Sequence, residues 1–229
     1  MPRRVQVAID GPAGAGKSTI AQGAAKELGY LYIDTGAMYR AVAYRALKAG
    51  LEVEHDAGAI GDLAGTLRFE FRDLAGERRL FVDDEDVSEV IRTPQVGNLS
   101  SPVSAIPAVR EHLLVEQRRM ATAGGTVMEG RDIGTVVLPG AEVKIFLTAT
   151  PQERARRRQA QLQEKGITQE LSVILADILE RDHRDSTRAT APLRKAEDAV
   201  EIVSDGMTQE QVIAKVCAIV RCAEEAVAE

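Results

Sequence analysis

Gly11-Pro12-Ala13-Gly14-Ala15-Gly16-Lys17-Ser18-Thr19 follows the pattern G-x-x-x-x-G-K-[ST]. The apolar run Val5-Gln6-Val7-Ala8-Ile9 before it reads as a buried strand. The run from Ser18 to Leu28 after it reads as a helix that stops at Gly29. Strand, glycine-rich turn and helix together make a ready anion nest. The glycines let the backbone turn its N–H groups inward, and the helix adds the positive end of its dipole. In such a loop Lys17 reaches the β- and γ-phosphates of a nucleotide and Ser18 offers a hydroxyl to Mg²⁺. The plain alternative is a glycine-rich turn that binds nothing.

Working outward, Leu31-Tyr32-Ile33 is a second strand ending in Asp34-Thr35-Gly36, and a helix is expected from about Ala37 to Ala49. This β-loop-α-β-α opening implies a parallel, doubly wound α/β sheet. Leu67-Arg68-Phe69-Glu70-Phe71-Arg72 then alternates apolar and charged residues, as a half-exposed antiparallel strand does. A turn at Leu74-Ala75-Gly76-Glu77, a return strand at Leu80-Phe81-Val82 and a third short segment from Val87 complete an antiparallel insert from about Leu63 to Ile91. Further on, the pattern predicts a helix over 106–121, strands at Thr126-Val127-Met128-Glu129 and 143–147, and helices over 151–164 and 169–184. A last strand is expected at 200–203, followed by a helix over 208–226 opened by a Thr208-x-x-Gln211 capping box.

The chain has 229 residues, 45% hydrophobic, with a net charge of −6. That is enough for one good core with inserted pieces, and the acidic balance argues against a nucleic-acid polymer or a membrane surface as partner. Cys217 and Cys222 form no metal spacing and no disulfide framework, so buried or half-buried thiols in a reducing cytoplasm are expected. No signal peptide and no stretch of membrane-spanning length is seen, and a cytoplasmic monomer is the expectation.

Several clusters fall at strand ends, where open α/β sheets bind ligands. In Asp34-Thr35-Gly36-Ala37-Met38-Tyr39-Arg40, Arg40 can fork onto a phosphate and Tyr39 offers a hydroxyl and a ring face. The other reading is an ordinary capped helix with Tyr39 in the core. Gly130-Arg131-Asp132-Ile133-Gly134-Thr135 places an Arg–Asp pair between glycines, suited to an anion or a base, or else to a structural ion pair. Glu129, just before it, is a candidate to assist Mg²⁺ through water. At helical spacing Arg154, Arg157 and Arg158 share one face, as do Arg181, Arg184 and Arg188. These stripes are either solvated surface or clamps for the charge that a moving phosphoryl group carries.

These segments in this order resemble bacterial cytidylate kinases from end to end: Ile9-Asp10 with the glycine loop, Asp34 to Arg40, Val87-Ser-Glu-Val-Ile-Arg-Thr, Gly130 to Pro139, Val143 to Ala149, Glu180-Arg-Asp-His-Arg-Asp-Ser-Thr-Arg188 and Ala191-Pro-Leu. The resemblance implies ATP with Mg²⁺ as donor and CMP or dCMP as acceptor. It implies a single kinase domain over 1–229, a monophosphate-binding lobe over about 36–100 and a lid over about 151–166. By the same resemblance, Gly11 to Thr19 bind ATP. Ser101, Arg110 and Asp132 read the cytosine edge, Arg40, Arg131 and Arg188 hold the acceptor phosphate with Thr35 and Tyr39 nearby, and Arg181 and Asp185 take the ribose hydroxyls. Lys17, Arg131, Arg158 and Arg188 would serve the transfer itself. Glu129 stands where the resemblance leads one to expect Asp, and Thr35 where some members have Ser. Two rivals remain at this point. One is a GTPase-type switch, which lacks an N/T-K-x-D motif here and whose D-x-x-G matches fall at Asp62–Gly65 and Asp73–Gly76. The other is a different small-molecule kinase of this fold.

Overall fold

The computed structural model describes residues 4–74, 77–122, 124–164 and 166–228. The central residues of the expected 74–77 turn, Ala75 and Gly76, lie outside the described residues, as does Lys165 within 151–166. The chain divides into two compact units, one formed by residues 1–32 and 123–229, the other by 33–122.

The first unit is built on a five-stranded sheet in the order β2-β6-β1-β7-β8, from β1 (Gln6–Asp10), β2 (Leu31–Asp34), β6 (Thr126–Gly130), β7 (Val143–Thr148) and β8 (Val200–Val203). β1 pairs in parallel with β6, Asp10 opposite Gly130, and with β7, Asp10 opposite Phe146. β7 pairs in parallel with β8. Strands sandwiched between helices must be apolar on both faces. Val7, Ile9, Val127, Ile145, Leu147 and Ile202 share one face of the sheet and are buried, and Ala8 and Met128 on the opposite face are buried too. Helices α1 (Lys17–Leu28) and α8 (Gln209–Ala228) pack on this sheet through Ile20, Ala21, Ala24, Val212, Val216 and Val220. The expected capping box forms at the start of α8: Thr208 N–H donates to Gln211 Oε1 at 2.9 Å and Gln211 N–H donates to Thr208 Oγ1 at 3.3 Å. Cys217 is buried, as expected, whereas Cys222 is exposed, contrary to the expectation of a buried or half-buried thiol there. Helices α6 (Pro151–Glu164) and α7 (Leu171–Thr187) pack together through Ala155, Leu162, Ile174 and Ile178.

The second unit contains α2 (Thr35–Lys48), α3 (Ala57–Thr66), a three-stranded antiparallel sheet of β3 (Phe69–Leu74), β4 (Glu77–Val82) and β5 (Glu85–Asp86), then α4 (Pro94–Val103) and α5 (Pro107–Ala121). Its core joins Met38, Val42, Ile60, Phe69, Val82, Val103 and Leu113. The expected antiparallel insert is therefore present, but two helices in this unit, α3 and α4, are absent from the sequence reading. No helix among the described residues is long and apolar enough to cross a membrane.

Candidate active site

The glycine loop leaves β1 at Asp10 and enters α1 at Lys17. Its first glycine is dictated by space, because a Cβ on Gly11 would fall on the Leu147 carbonyl oxygen. Gly16, which caps α1, sits at φ +88, a left-handed conformation that disfavours any side chain. Within this tight turn Lys17 is buried, its ammonium donating to the Pro12 carbonyl at 2.8 Å. Burial, with Arg131 and Arg181, lowers its pKa to about 7 against the opposing pull of Glu129 and Asp10. Burial makes the Lys17 charge costly here, a cost that the negative charge of a phosphate chain would offset. Ser18 and Thr19 are exposed at the first turn of the helix.

Glu129 is buried at the end of β6, and the Tyr32 hydroxyl donates to its Oε1 at 2.6 Å. Mg²⁺ takes oxygen ligands, keeps several waters and is held by one or two protein oxygens together with substrate phosphates. One exposed hydroxyl, Ser18, and one carboxylate held by a tyrosine suit such an ion. Among the described residues no group of three or more His, Cys, Asp or Glu forms a protein-only cage.

The loop after β6 is held by side chains on both sides of it. Arg131 Nε donates to Asp185 Oδ2 at 3.0 Å and its Nη1 donates to the Gly130 carbonyl. Arg188 Nη2 donates to Asp132 Oδ1 at 3.3 Å and its Nε donates to the Ala191 carbonyl at 2.8 Å. Arg131, Asp132, Asp185 and Arg188 therefore form two ion pairs in which both carboxylates are buried. Arg181, on α7, contributes to the positive field at Lys17.

The sequence reading placed Arg188 on a helical face with Arg181 and Arg184. α7 ends at Thr187, and Arg188 lies beyond it in an extended conformation, while Arg184 pairs with Glu180 on the surface. The stripe on α6 is also divided. Arg154 is 2% exposed, and its guanidinium is spent on the Ala149 and Ala13 carbonyls and on both oxygens of Asp182. It joins α6, α7 and the phosphate loop and acts as a tie within the protein. Arg157 is tied to Glu153 and to Ser204, leaving Arg158 exposed on α6.

In the second unit Asp34 caps α2, accepting from Ala37 N–H at 2.8 Å and from Arg40 Nη2 at 2.9 Å. Thr35 is buried at the first position of that helix. Tyr39 and Arg110 are neighbours, the guanidinium carbon 5.5 Å from the ring centroid. Arg110 also donates to the Ser104 carbonyl at 3.2 Å, and the Ser104 hydroxyl donates to the Ser101 carbonyl at 2.8 Å. α4 and α5 thereby bring Ser101, Arg110 and Tyr39 into one buried-to-half-buried cluster.

One residue that the site reading missed is Asp10. Its Oδ1 accepts from Ile133 N–H at 2.8 Å and its Oδ2 from Gly134 N–H at 2.7 Å. Burial raises its carboxyl from 3.8 to about 6; the Gly134 and Ile133 N–H groups lower it, Asp132 raises it and Lys17 lowers it. The folded chain keeps the Asp10 proton up to about 6 and the unfolded chain only to 3.8, so stability from this group falls as pH rises through that window. Unfolding by denaturant at steps across it should show the wild-type stability, relative to Asp10→Asn, decreasing with rising pH. A rising difference would contradict the buried carboxyl.

A parallel sheet whose central strand runs through this glycine loop into a helix, with a buried lysine at the turn, defines a P-loop nucleotide-binding protein. In backbone the chain is similar to a gluconokinase from Sinorhizobium meliloti 1021, with a TM-score of 0.50 over 99% of this chain and 97% of that one at 15% identity, a likeness of fold alone. In sequence the similarity is far closer. The chain is 50% identical over 220 residues to a cytidylate kinase from Geobacillus thermodenitrificans, covering 96% of this chain and 98% of that protein. It is 52% identical over 213 residues to one from Pelotomaculum thermopropionicum, covering 93% and 94%. The cytidylate kinase family model matches residues 7–222, and the chain belongs to that family. The GTPase-switch reading is thereby set aside; Asp62–Gly65 lies inside α3, a helix packed on α5.

Proposed function

We propose that this chain transfers the γ-phosphoryl group of ATP to CMP and dCMP, giving CDP and dCDP. The observation that carries the reading is the end-to-end match to cytidylate kinases. An oxygen of the acceptor phosphate attacks the γ-phosphorus while the bond to the β–γ bridging oxygen breaks and ADP leaves. The backbone from Gly11 to Thr19 binds the donor phosphates, and Lys17 meets the charge that spreads over the moving group. Ser18, and Glu129 through water, would hold Mg²⁺, which would supply neutralisation of the donor phosphate charge. Thr35, Tyr39, Arg40, Arg131 and Arg188 take the acceptor phosphate. Ser101, Arg110 and Asp132 take the base, and Arg181 and Asp185 take the sugar hydroxyls. Arg158, exposed on α6 as Arg156 also is, acts in the transfer with Arg131 and Arg188. We assign the acceptor lobe to about 36–100, its antiparallel insert to about 63–91 and the lid to about 151–166.

Selection of cytosine rests on charge. A buried carboxylate can accept from the amino group of cytosine, whereas uracil offers a carbonyl there and leaves the carboxylate unpaired. Asp132→Ala should therefore lower the CMP/UMP ratio of kcat/KM by about tenfold or more, with little change in KM for ATP. A constant ratio with a collapse of ATP affinity would move Asp132 to the donor side.

A further inference from the structure

We propose that Asp10 is the positioning residue for the Gly130–Thr135 loop, its carboxylate clasping two consecutive main-chain N–H groups so that Arg131 and Asp132 are presented in one orientation. This deepens the reading of Asp132 as the base-reading carboxylate, and rests on it. Asp10 ends β1 directly before the glycine loop and stands in register opposite Gly130, from which the second loop departs. Its two oxygens are used on Ile133 and Gly134, the residues immediately after Arg131 and Asp132. With 133 and 134 pinned, the side chains before them have one way to reach their partners, Arg131 to Asp185 and Asp132 to Arg188.

The clasp costs a buried charge, since Asp10 is 5% exposed. A carboxylate in this place without a function would be better replaced by an apolar residue. What recommends it is geometry: only a carboxylate offers two equivalent acceptors to two parallel N–H donors. An asparagine of the same shape has one acceptor, and its NH₂ would face a second N–H. The segment it holds, Ile133–Val137, is an irregular helical turn whose cap residue Asp132 makes no side-chain cap bond of its own. Asp10 thus supplies from a different strand the capping that the turn lacks.

The test compares wild type, Asp10→Asn and Asp132→Ala in kcat/KM for CMP and UMP, with KM for ATP and thermal unfolding measured alongside. Asp10→Asn is expected to unfold cooperatively, to lower the CMP/UMP ratio by about tenfold, to raise KM for CMP more than KM for ATP, and to speed hydrogen exchange at the Ile133 and Gly134 amides by at least about tenfold. A role confined to stability would shift the melting point and leave the ratio alone. An unchanged ratio in Asp10→Asn beside a lowered ratio in Asp132→Ala overturns the positioning role and spares the base assignment. Unchanged ratios in both overturn the two together. Should Asp10→Asn fail to fold, Asp10→Glu probes the same clasp, because it keeps both acceptors but carries them one methylene further from the Ile133 and Gly134 amides. A lowered ratio in that folded variant supports the proposal, and an unchanged one overturns it.

Discussion

Lys17→Ala is expected to lower kcat for phosphoryl transfer by a factor on the order of 10² or more, with the fold intact. The size follows from where the ammonium sits. It is buried in the turn of the glycine loop and donates to the Pro12 carbonyl, a neutral acceptor. With burial and two arginines pressing its pKa down to about 7, the bare site disfavours the charge. Truncation therefore removes a strained group and should cost the apo protein little stability. Bound triphosphate reverses the balance, and the charge spread over the equatorial oxygens during transfer reverses it most. The loss should accordingly appear chiefly in kcat. Single-turnover measurements with saturating ATP and CMP would separate it from weakened binding. Near wild-type turnover in a folded Lys17→Ala protein would defeat the phosphate-loop assignment.

Arg188→Ala is expected to lower kcat/KM for CMP by about tenfold to a hundredfold, the range spanned by one lost charge-assisted hydrogen bond. Arg188 is held in advance by the Ala191 carbonyl and by Asp132, so little ordering is left for the acceptor phosphate to impose. Its removal also leaves the buried Asp132 without that partner, which predicts a coupling between the two positions. A double-mutant cycle of Arg188→Ala with Asp132→Ala should be non-additive. Cytidine, which lacks the phosphate, should lose less binding to Arg188→Ala than CMP does. A variant that loses cytidine binding in step with CMP would place Arg188 in support of the base pocket or the fold.

Local signals were legible in the sequence. The strand, glycine loop and helix of the donor site, the capping box at Thr208 and the antiparallel alternation at 67–82 each rest on residues close together in the chain. What escaped were features settled by tertiary packing. α3 carries Gly58, Gly61 and Gly65, poor helix formers by propensity. Two of them are needed by α5, since a Cβ on Gly61 would press on Ala108 Cβ at 2.6 Å and one on Gly65 on the His112 ring at 2.8 Å. α4 starts at Pro94 and contains Pro102, and is held by buried Val96 and Val103. The loop read at 130–135 passes into an irregular helical turn at Ile133–Val137, whose first two amides donate to Asp10, 123 residues away from Ile133 in sequence. Among the arginines, spacing grouped Arg154, Arg157 and Arg158 but could not tell the ties from the exposed group, because the difference lies in Asp182, Ser204 and the Ala13 carbonyl.

The most direct test of the account is an acceptor screen with ATP and Mg²⁺ against CMP, dCMP, UMP, AMP and GMP. CMP and dCMP should be phosphorylated with kcat/KM well above that of the other three, and ATP hydrolysis without an acceptor should be slow by comparison. Equal use of UMP and CMP, preference for a purine monophosphate, or ATP turnover indifferent to any acceptor would contradict it.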